Sequence, residues 1–407
     1  MIWYIAWRNI WRNRMRSIII MVAIIIGIFA GTFAAAMMKG MMDQRIHNVI
    51  KTELSHIQIH EKDFLKLKET EKYLQNVNQI SKVLDTISDV VAHSERVITS
   101  AMVMSADGNA GINLIGINPS KEKLVTNLYD QIIEGSYFDD GKSKRIVIGK
   151  KLAEKLNLKI GSRPVFTFQT ITGNLTNDTY RVVGIFETVN STYDETHAFV
   201  NINELTPILE MPENSTHEVA VLLNQNNKSD KVKEEIKSVF PDYSVLTWTD
   251  LSPEMKVVTK GMEFSMYIFI AIILIALLFS IINTMLMVVL ERTKEIGMLM
   301  SVGMNRLKVF RMILLESVYL SGFAGIIGVG IGYGIAKIFS VSGIDLSNLY
   351  GDGLRNYGYD PVMYPDIDIS MVINITIMVF ITGILASIIP ARRALKLNPA
   401  EAVRTDM

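Results

Sequence analysis

The chain has 407 residues, 49% of them hydrophobic, and its 41 Lys and Arg balance 41 Asp and Glu. That balance argues against nucleic acid as a partner. The absence of cysteine excludes disulfides, thiol catalysis and cysteine-ligated metal.

The apolar residues are unevenly spread. Four runs (17–38, 266–290, 313–339 and 371–390) are each long enough to cross a ~30 Å hydrocarbon core, which takes roughly 20 residues. An integral membrane protein is expected, its 23 methionines filling lipid-facing and inter-helix gaps.

Residues 1–16 place Trp3, Trp7 and Trp11 at i, i+4, i+8, with Arg8, Arg12 and Arg16 at the same spacing. On a helix these make two stripes, one for the membrane interface and one for phosphate head groups. The run 17–38 exceeds a cleavable signal core of about 7–15 residues, so an uncleaved anchor is expected. It carries Ala23, Gly27, Gly31 and Ala35 at four-residue spacing, a ladder that lets helix backbones approach closely in lipid.

Residues 39–265 form the large domain. Helical continuity through MMDQRIHNVIK would make a stalk. HIQIH alternates like a strand, VNQISKVLDTI has helical spacing, and SERVITSAMVM, GINLIGI, RIVIG, PVFTF, YRVVGIF and HAFVNI are strand-like runs between Gly, Asn, Asp and Pro. EVAVLLN, SDKVKEEIKSVF and YSVLTW complete a strand–helix–strand. The simplest arrangement is an α/β lobe near the membrane (about 39–90 plus 206–250) with a strand-rich lobe, about 91–205, inserted into it.

In the run 266–290, Ser280, Asn283 and Thr284 could bond between helices or line a substrate path. In 291–312, VVLERTKEIGMLMS is expected to prolong the preceding helix, Gly303 to break it, and Asn305 to cap a second short helix. Leu307, Phe310 and Leu314 would share that helix's apolar face, bordered by Arg306, Lys308 and Arg311. A solvated basic loop would explain the cations but not the two acids or the apolar stripe, so a docking element is favoured.

The run 313–339 holds the pairs Gly328/Gly332 and Gly330/Gly334, read as helix packing with Gly27 and Gly31. GVGIGYG lies inside an apolar run and lacks the GK[ST] of a phosphate loop. The segment 340–370 reads as a loop. Pro390 is expected to end the fourth span, and Asn398, Pro399 and Glu401 to open a capped helix in the tail 391–407.

Lysine and arginine bias sets the orientation. Four arginines precede the first span. Arg292, Lys294, Arg306, Lys308 and Arg311 lie between the second and third, and Arg392, Arg393, Lys396 and Arg404 follow the fourth. Both termini and 291–312 are thus expected in the cytoplasm, and 39–265 and 340–370 outside it. No GxxxxGK[ST], HExxH or GxSxG occurs, so no catalytic or metal site is expected. The spans read as free of interior charge, which disfavours ion coupling. Energy for any movement must then come from another subunit.

ERTKEIGMLMSVGMNRLKVFRMILLES resembles the corresponding segment of permeases of the MacB/FtsX superfamily of ABC transporters, and PARRALKLNPAEAVR is similar to their C-terminal ending. RIVIGKKLAEKLNLKIGSRPVFTF, YRVVGIFET and TWTDLSPEM resemble the lipoprotein-releasing LolC/LolE permeases. The resemblance implies a membrane α-helical fold of four transmembrane helices, one plus three, with a large two-lobed α/β extracytoplasmic domain. It implies a cell inner-membrane permease dimer (two copies or two paralogues) with no cofactor of its own, ATP and Mg²⁺ being bound by a separate cytoplasmic ATPase. It marks Glu291, Arg292, Glu295, Ile296, Gly297, Gly303 and Met304 as the ATPase-coupling segment. Its function would be release of lipoproteins by mechanical transmission, the alternatives being a MacB-like exporter of peptides or toxic compounds and an FtsX-like relay to a cell-wall hydrolase. A periplasmic lipoprotein chaperone is a further implied partner. In LolC the relevant loop is a projecting hook bearing Pro and Arg; QTITGNLTNDTY (169–180) has neither, so Gly173 and Asn174 are read as the tip of a candidate partner-docking hairpin.

Overall fold

A computed structural model describes residues 2–12, 14–67, 70–138, 142–356 and 358–395. They fall into two units, a helical one (2–43, 259–345 and 362–395) and an α/β one (44–258 and 346–361).

In chain order, α1 (Ile2–Arg12) and α2 (Arg14–Asn48) precede a π-helical turn, Val49–Leu54. Then come β1 (Ile57–His60), α3 (Phe64–Leu67), α4 (Val77–Leu84), β2 (Val90–Met104), β3 (Asn109–Ile117) and α5 (Pro119–Val125). The middle comprises β4 (Ile132–Gly135), β5 (Arg145–Gly149), α6 (Lys150–Lys155), β6 (Val165–Gln169), β7 (Leu175–Thr179) and β8 (Arg181–Phe186). It ends with α7 (Ser191–Thr196), β9 (His197–Asn201) and α8 (Ile202–Ile208). Next are β10 (Glu218–Leu223), α9 (Ser229–Val239), β11 (Ser244–Thr247), α10 (Trp248–Leu251), α11 (Pro253–Glu291), α12 (Thr293–Ser301) and α13 (Arg306–Ser342). Last are β12 (Ile344–Asp345), α14 (Ser347–Asn356), β13 (Val362–Met363) and α15 (Ile369–Leu395).

Four helices are long and apolar enough to cross a membrane: α2 with its π-turn, α11, α13 and α15. A helix satisfies its own backbone polar groups, so such runs can sit in lipid. Ile24, Ile28, Leu274, Ile281, Val329 and Val379 lie in their shared core. A Cβ added at Gly328 would stand 3.0 Å from Ile28 Cβ, and one at Gly332 2.8 Å from Thr32 Cβ, so α13 closes on α2 where it has no side chain. Gly27 and Gly31 admit Leu277 and Ile273 of α11 in the same way.

The expected ladders are longer than the real contacts. Ala23 is exposed, and Gly330 and Gly334 face open space. Each four-residue step turns a helix by about 40° beyond a full circle, and residues two apart point to nearly opposite sides, so neither ladder stays on one face. Thr284 Oγ donates to Ser280 O of its own helix rather than to another span. Pro390 does not end α15, which runs on to Leu395 with Pro390 buried inside it. A span can forgo one amide bond where neighbours pack around it. The expected helix cap at Asn398, Pro399 and Glu401 lies outside the described residues.

The α/β unit is built on one sheet in the order β11-β1-β10-β2-β3-β9-β5-β8-β4, with the β6–β7 hairpin on the outer half of β2. Most pairs are antiparallel, but β3–β9 and β5–β8 are parallel. Three apolar cores pack against it: Ile115, Phe186 and Phe199 lie in a small one, and two are larger. Ile57, Ile59, Ile80, Leu84, Val219 and Ile236 make one, from residues on both sides of the strand-rich middle. Leu114, Ile148, Phe166, Tyr180, Val182 and Val200 lie in the other. The boundary expected near residue 91 falls within β2, which pairs with β10 over its first half and with β6 near its end. Its ends are rich in Val and Ile, and it crosses the boundary without a Gly, Pro or Asn to break the ladder.

Where β2 leaves β10, Arg96 is 5% exposed and carries two carboxylates: Glu122 at 2.6 Å and Glu218 at 2.7 Å. His60 stands 3.7 Å from Glu218, and burial pushes its imidazole pKa down. The segment 340–370 is more than a loop. β12 pairs with β13, and between them α14 joins the α/β unit, where Arg355 donates to Glu187 at 2.6 Å beside Lys150 at 3.0 Å.

Candidate coupling site

The segment after α11 differs from its expected form in three ways. The helix does not continue: Arg292 leaves helical geometry (φ −97°, ψ 15°) and Thr293 turns its hydroxyl back to Leu290 O at 2.7 Å. Gly303 does break the chain, at φ +100°, in the region that disfavours side chains. Asn305 Oδ1 then accepts from Leu307 N at 3.2 Å, as a cap should. The helix it caps, however, is the whole of α13 and not a separate short one. The face that α13 buries there is Val309, Met312, Ile313 and Glu316, and Leu307 is 54% exposed.

Of the residues marked for coupling, Ile296 and Gly297 face inward and Met304 is half-buried. Outward stand Met298, Val302 and Leu307, with Val302 89% exposed. Among the described residues Lys308 and Arg311 make no ion pair beside them. This is an apolar ridge with a cationic border.

Behind the ridge Glu291, Arg292 and Glu295 meet residues that sequence reasoning had assigned elsewhere. Arg12 Nη2 donates to both oxygens of Glu295, at 2.6 and 2.7 Å. Arg16 grips Glu291 with both terminal nitrogens. Arg292 donates to Glu295 at 3.1 Å and to Glu316 at 3.2 Å, and Asn9 Nδ2 reaches Glu316 at 2.6 Å. Burial works against the Glu295 carboxylate, but hydrogen bonds from Arg12 and Arg292 outweigh it and hold its pKa below the usual range.

Glu316, the fourth residue of the run 313–339, is a buried acid that sequence reasoning did not single out. It lies near the start of α13, 4% exposed, and is tolerable there because it is paired. The signals were present: an acid near the head of an apolar run, and arginines at four-residue spacing with acids elsewhere to meet them. On α1 the Trp stripe has its own partners, since Trp7 packs edge-on against Tyr319 at 5.9 Å and Phe323 at 6.3 Å.

The hairpin read as a docking tip lies in the α/β unit. Gly173 takes φ +86° and β6 pairs with β7 from Val165↔Thr179 to Gln169↔Leu175. Its tip is tied down: Ile171 N donates to Leu209 O at 3.1 Å and Thr172 Oγ to Glu210 at 2.6 Å. Asp178, the hairpin's single charge, is met by Lys144 at 2.6 Å.

Four apolar helices, an ion-paired segment between the second and third, and an α/β unit built from two stretches of chain describe a membrane protein with a large domain outside its spans. Residues 17–239, more than half the chain, match the family model of the MacB-like periplasmic core domain, and 267–399 match that of the FtsX-like permease C-terminal. The chain belongs to this family of ABC transporter permeases and is a multi-pass membrane protein. It is 27% identical to the uncharacterised ABC transporter permease MJ1507 of Methanocaldococcus jannaschii over 297 residues, 70% of this chain and 69% of that one. It is 24% identical to the lipoprotein-releasing system transmembrane protein LolC of Neisseria meningitidis over 336 residues, 77% of this chain and 78% of that one. It is 33% identical to the macrolide export ATP-binding/permease protein MacB of Vibrio parahaemolyticus over 127 residues, 31% of this chain and only 17% of that one.

Proposed function

We propose that this chain is a permease subunit that takes its energy from a separate ATPase, which binds ATP and Mg²⁺, and turns it into displacement of the α/β unit. The observation that carries this is the 291–312 segment: an exposed apolar ridge (Met298, Val302, Leu307) with a cationic border, held from behind by ion pairs. A ridge of that kind suits a protein partner better than water. The substrate we favour is a lipid-anchored protein lifted from the outer leaflet of the inner membrane, by a dimer of this chain with itself or a paralogue. The likeness to LolC supports it, because that likeness extends over three quarters of the chain and so beyond the spans. The tied-down hairpin argues against a hook of its own, so a periplasmic chaperone would dock elsewhere, on the partner permease for example.

The test is a pull-down from native membranes through a tag on this chain. A separate ATPase subunit is expected to come with it, and the chain alone to hydrolyse no ATP. Turnover by the lone polypeptide would overturn the reading. Depleting the chain should then block release of a lipid-anchored reporter from spheroplasts; unchanged release would remove lipoproteins as the substrate.

In the orientation we propose, both termini and 291–312 are cytoplasmic, and single cysteines can check it because the native chain has none. Asn174→Cys and Asn348→Cys, both at exposed positions, should react with an impermeant maleimide in intact spheroplasts, and Asn305→Cys only after lysis. The reverse pattern would invert the arrangement.

A further inference from the structure

The segment α12 buries Ile296 and Gly297, and Met300 packs half-buried against the same core. Its polar contacts lead further, to other helices. Glu295 on α12 goes to Arg12 on α1 and to Arg292; Arg292 goes on to Glu316 of α13, where Asn9 of α1 also arrives. Glu291, the last residue of α11, goes to Arg16 near the start of α2. Ser17 Oγ, one residue later on α2, donates to Ile10 O of α1 at 2.7 Å. Three arginines meet three glutamates, so the network is neutral, and it walls a cavity of about 330 Å³.

The geometry points to Arg12, Arg16 and Glu316 as positioning residues that form a joint, through which displacement of the coupling segment passes to α2 and α11. This rests on the coupling role proposed above. α2 and α11 are the two spans whose helices continue, without a break in the chain, past the residues where the two units divide. Glu295 reaches α2 by way of Arg12 on α1 and the Ser17–Ile10 bond, and Glu291 with Arg16 ties α11 to α2. Charge-assisted contacts, bidentate where an arginine meets a carboxylate, fix geometry as well as distance. A load applied at α12 would otherwise be spent on moving α12 alone.

The experiment uses the full chain, purified with its co-purifying ATPase and reconstituted in nanodiscs. A single His47→Cys substitution, at an exposed position on α2, carries an environment-sensitive fluorophore. ATP with vanadate should change its emission. Arg12→Glu and Arg16→Glu should each cut that response at least about five-fold, the lower end of usual inter-site coupling. Arg16→Glu, which leaves the Glu295 contacts of α12 intact, should still co-purify the ATPase and hydrolyse ATP within about two-fold of the parent, below the usual range of inter-site coupling, a split that a merely structural role would not give. The swaps Arg12→Glu/Glu295→Arg and Arg16→Glu/Glu291→Arg should restore the response. Should a reversal fold poorly, Arg12→Lys keeps the charge, loses the reach to both oxygens, and should give an intermediate response. An undiminished response in the reversals, or swaps that restore nothing, would overturn the joint. Failure of any ATPase to co-purify would instead overturn the coupling role itself.

Discussion

Replacing Arg96 by methionine is expected to destabilise the α/β unit by about 3–5 kcal/mol, because it strands two buried carboxylates without their cation. Glu122 is 1% exposed and Glu218 4%, and Thr126 is the other side chain that donates to Glu122, at 3.2 Å. One of the two acids would have to take up a proton or draw water into the junction between the two larger cores. At roughly 2–4 °C per kcal/mol for a unit of this size, the melting temperature should fall by about 6–20 °C. Thermal melting of the full chain followed by protease sensitivity of the α/β unit measures it. Adding Glu122→Leu and Glu218→Leu to Arg96→Met should recover most of the loss, since a whole buried ion cluster can often be exchanged for apolar residues at little cost. If the single change costs less than about 1 kcal/mol, the triad is wetter than its burial indicates.

Gly303→Leu should abolish most ATP-driven work while leaving the chain inserted and folded. Nothing lies within 4 Å of a Cβ at this position, so bulk is not the obstacle. The obstacle is φ +100°, which costs a residue with a side chain on the order of 1–3 kcal/mol. The turn would relax toward other geometries and the ridge at Val302 would lose its pose. ATP turnover stimulated by the permease should drop roughly ten-fold, the equivalent of about 1.4 kcal/mol within that range. Gly303→Ala should be nearly as damaging, which separates backbone strain from steric clash. A harmless alanine beside a harmful leucine would show that a partner's surface packs closely there.

How much of this was legible in the chain depends on the range of the interaction. The spans announce themselves because lipid imposes one rule on every residue of a run. The strand 57–60 alternates apolar and polar, 145–149 and 218–223 are mostly apolar runs, and the cap at Asn305 needs only its neighbours. The parallel pairing of β3 with β9 joins residues about 80 apart, and nothing local encodes it. The same holds for the site. Gly303 is readable from its own backbone demand, but Arg12 and Arg16 look like head-group ligands until Glu295 and Glu291, more than 270 residues away, are seen beside them. Glu316 was passed over because a charge at the edge of an apolar run looks like the end of the run. Arg96, on a strand that alternates well, gave no sign that its two acids would come from α5 and β10.

The fifteen-residue β2 spans both larger cores of the α/β unit. At about 3.3 Å per residue such a strand is roughly 50 Å long, and it is held edge to edge by β10 or β3 for most of that length. β10 pairs with its residues 90–96 and β3 with 96–104, so the chain passes from one core to the other as continuous strand and not as a linker. The partners change over at Arg96, which pairs with both Glu218 of β10 and Ile117 of β3, and its ion pairs to Glu122 and Glu218 brace that handover. Without the brace, as in Arg96→Met, the two cores would be joined there by a strand held on one side at a time.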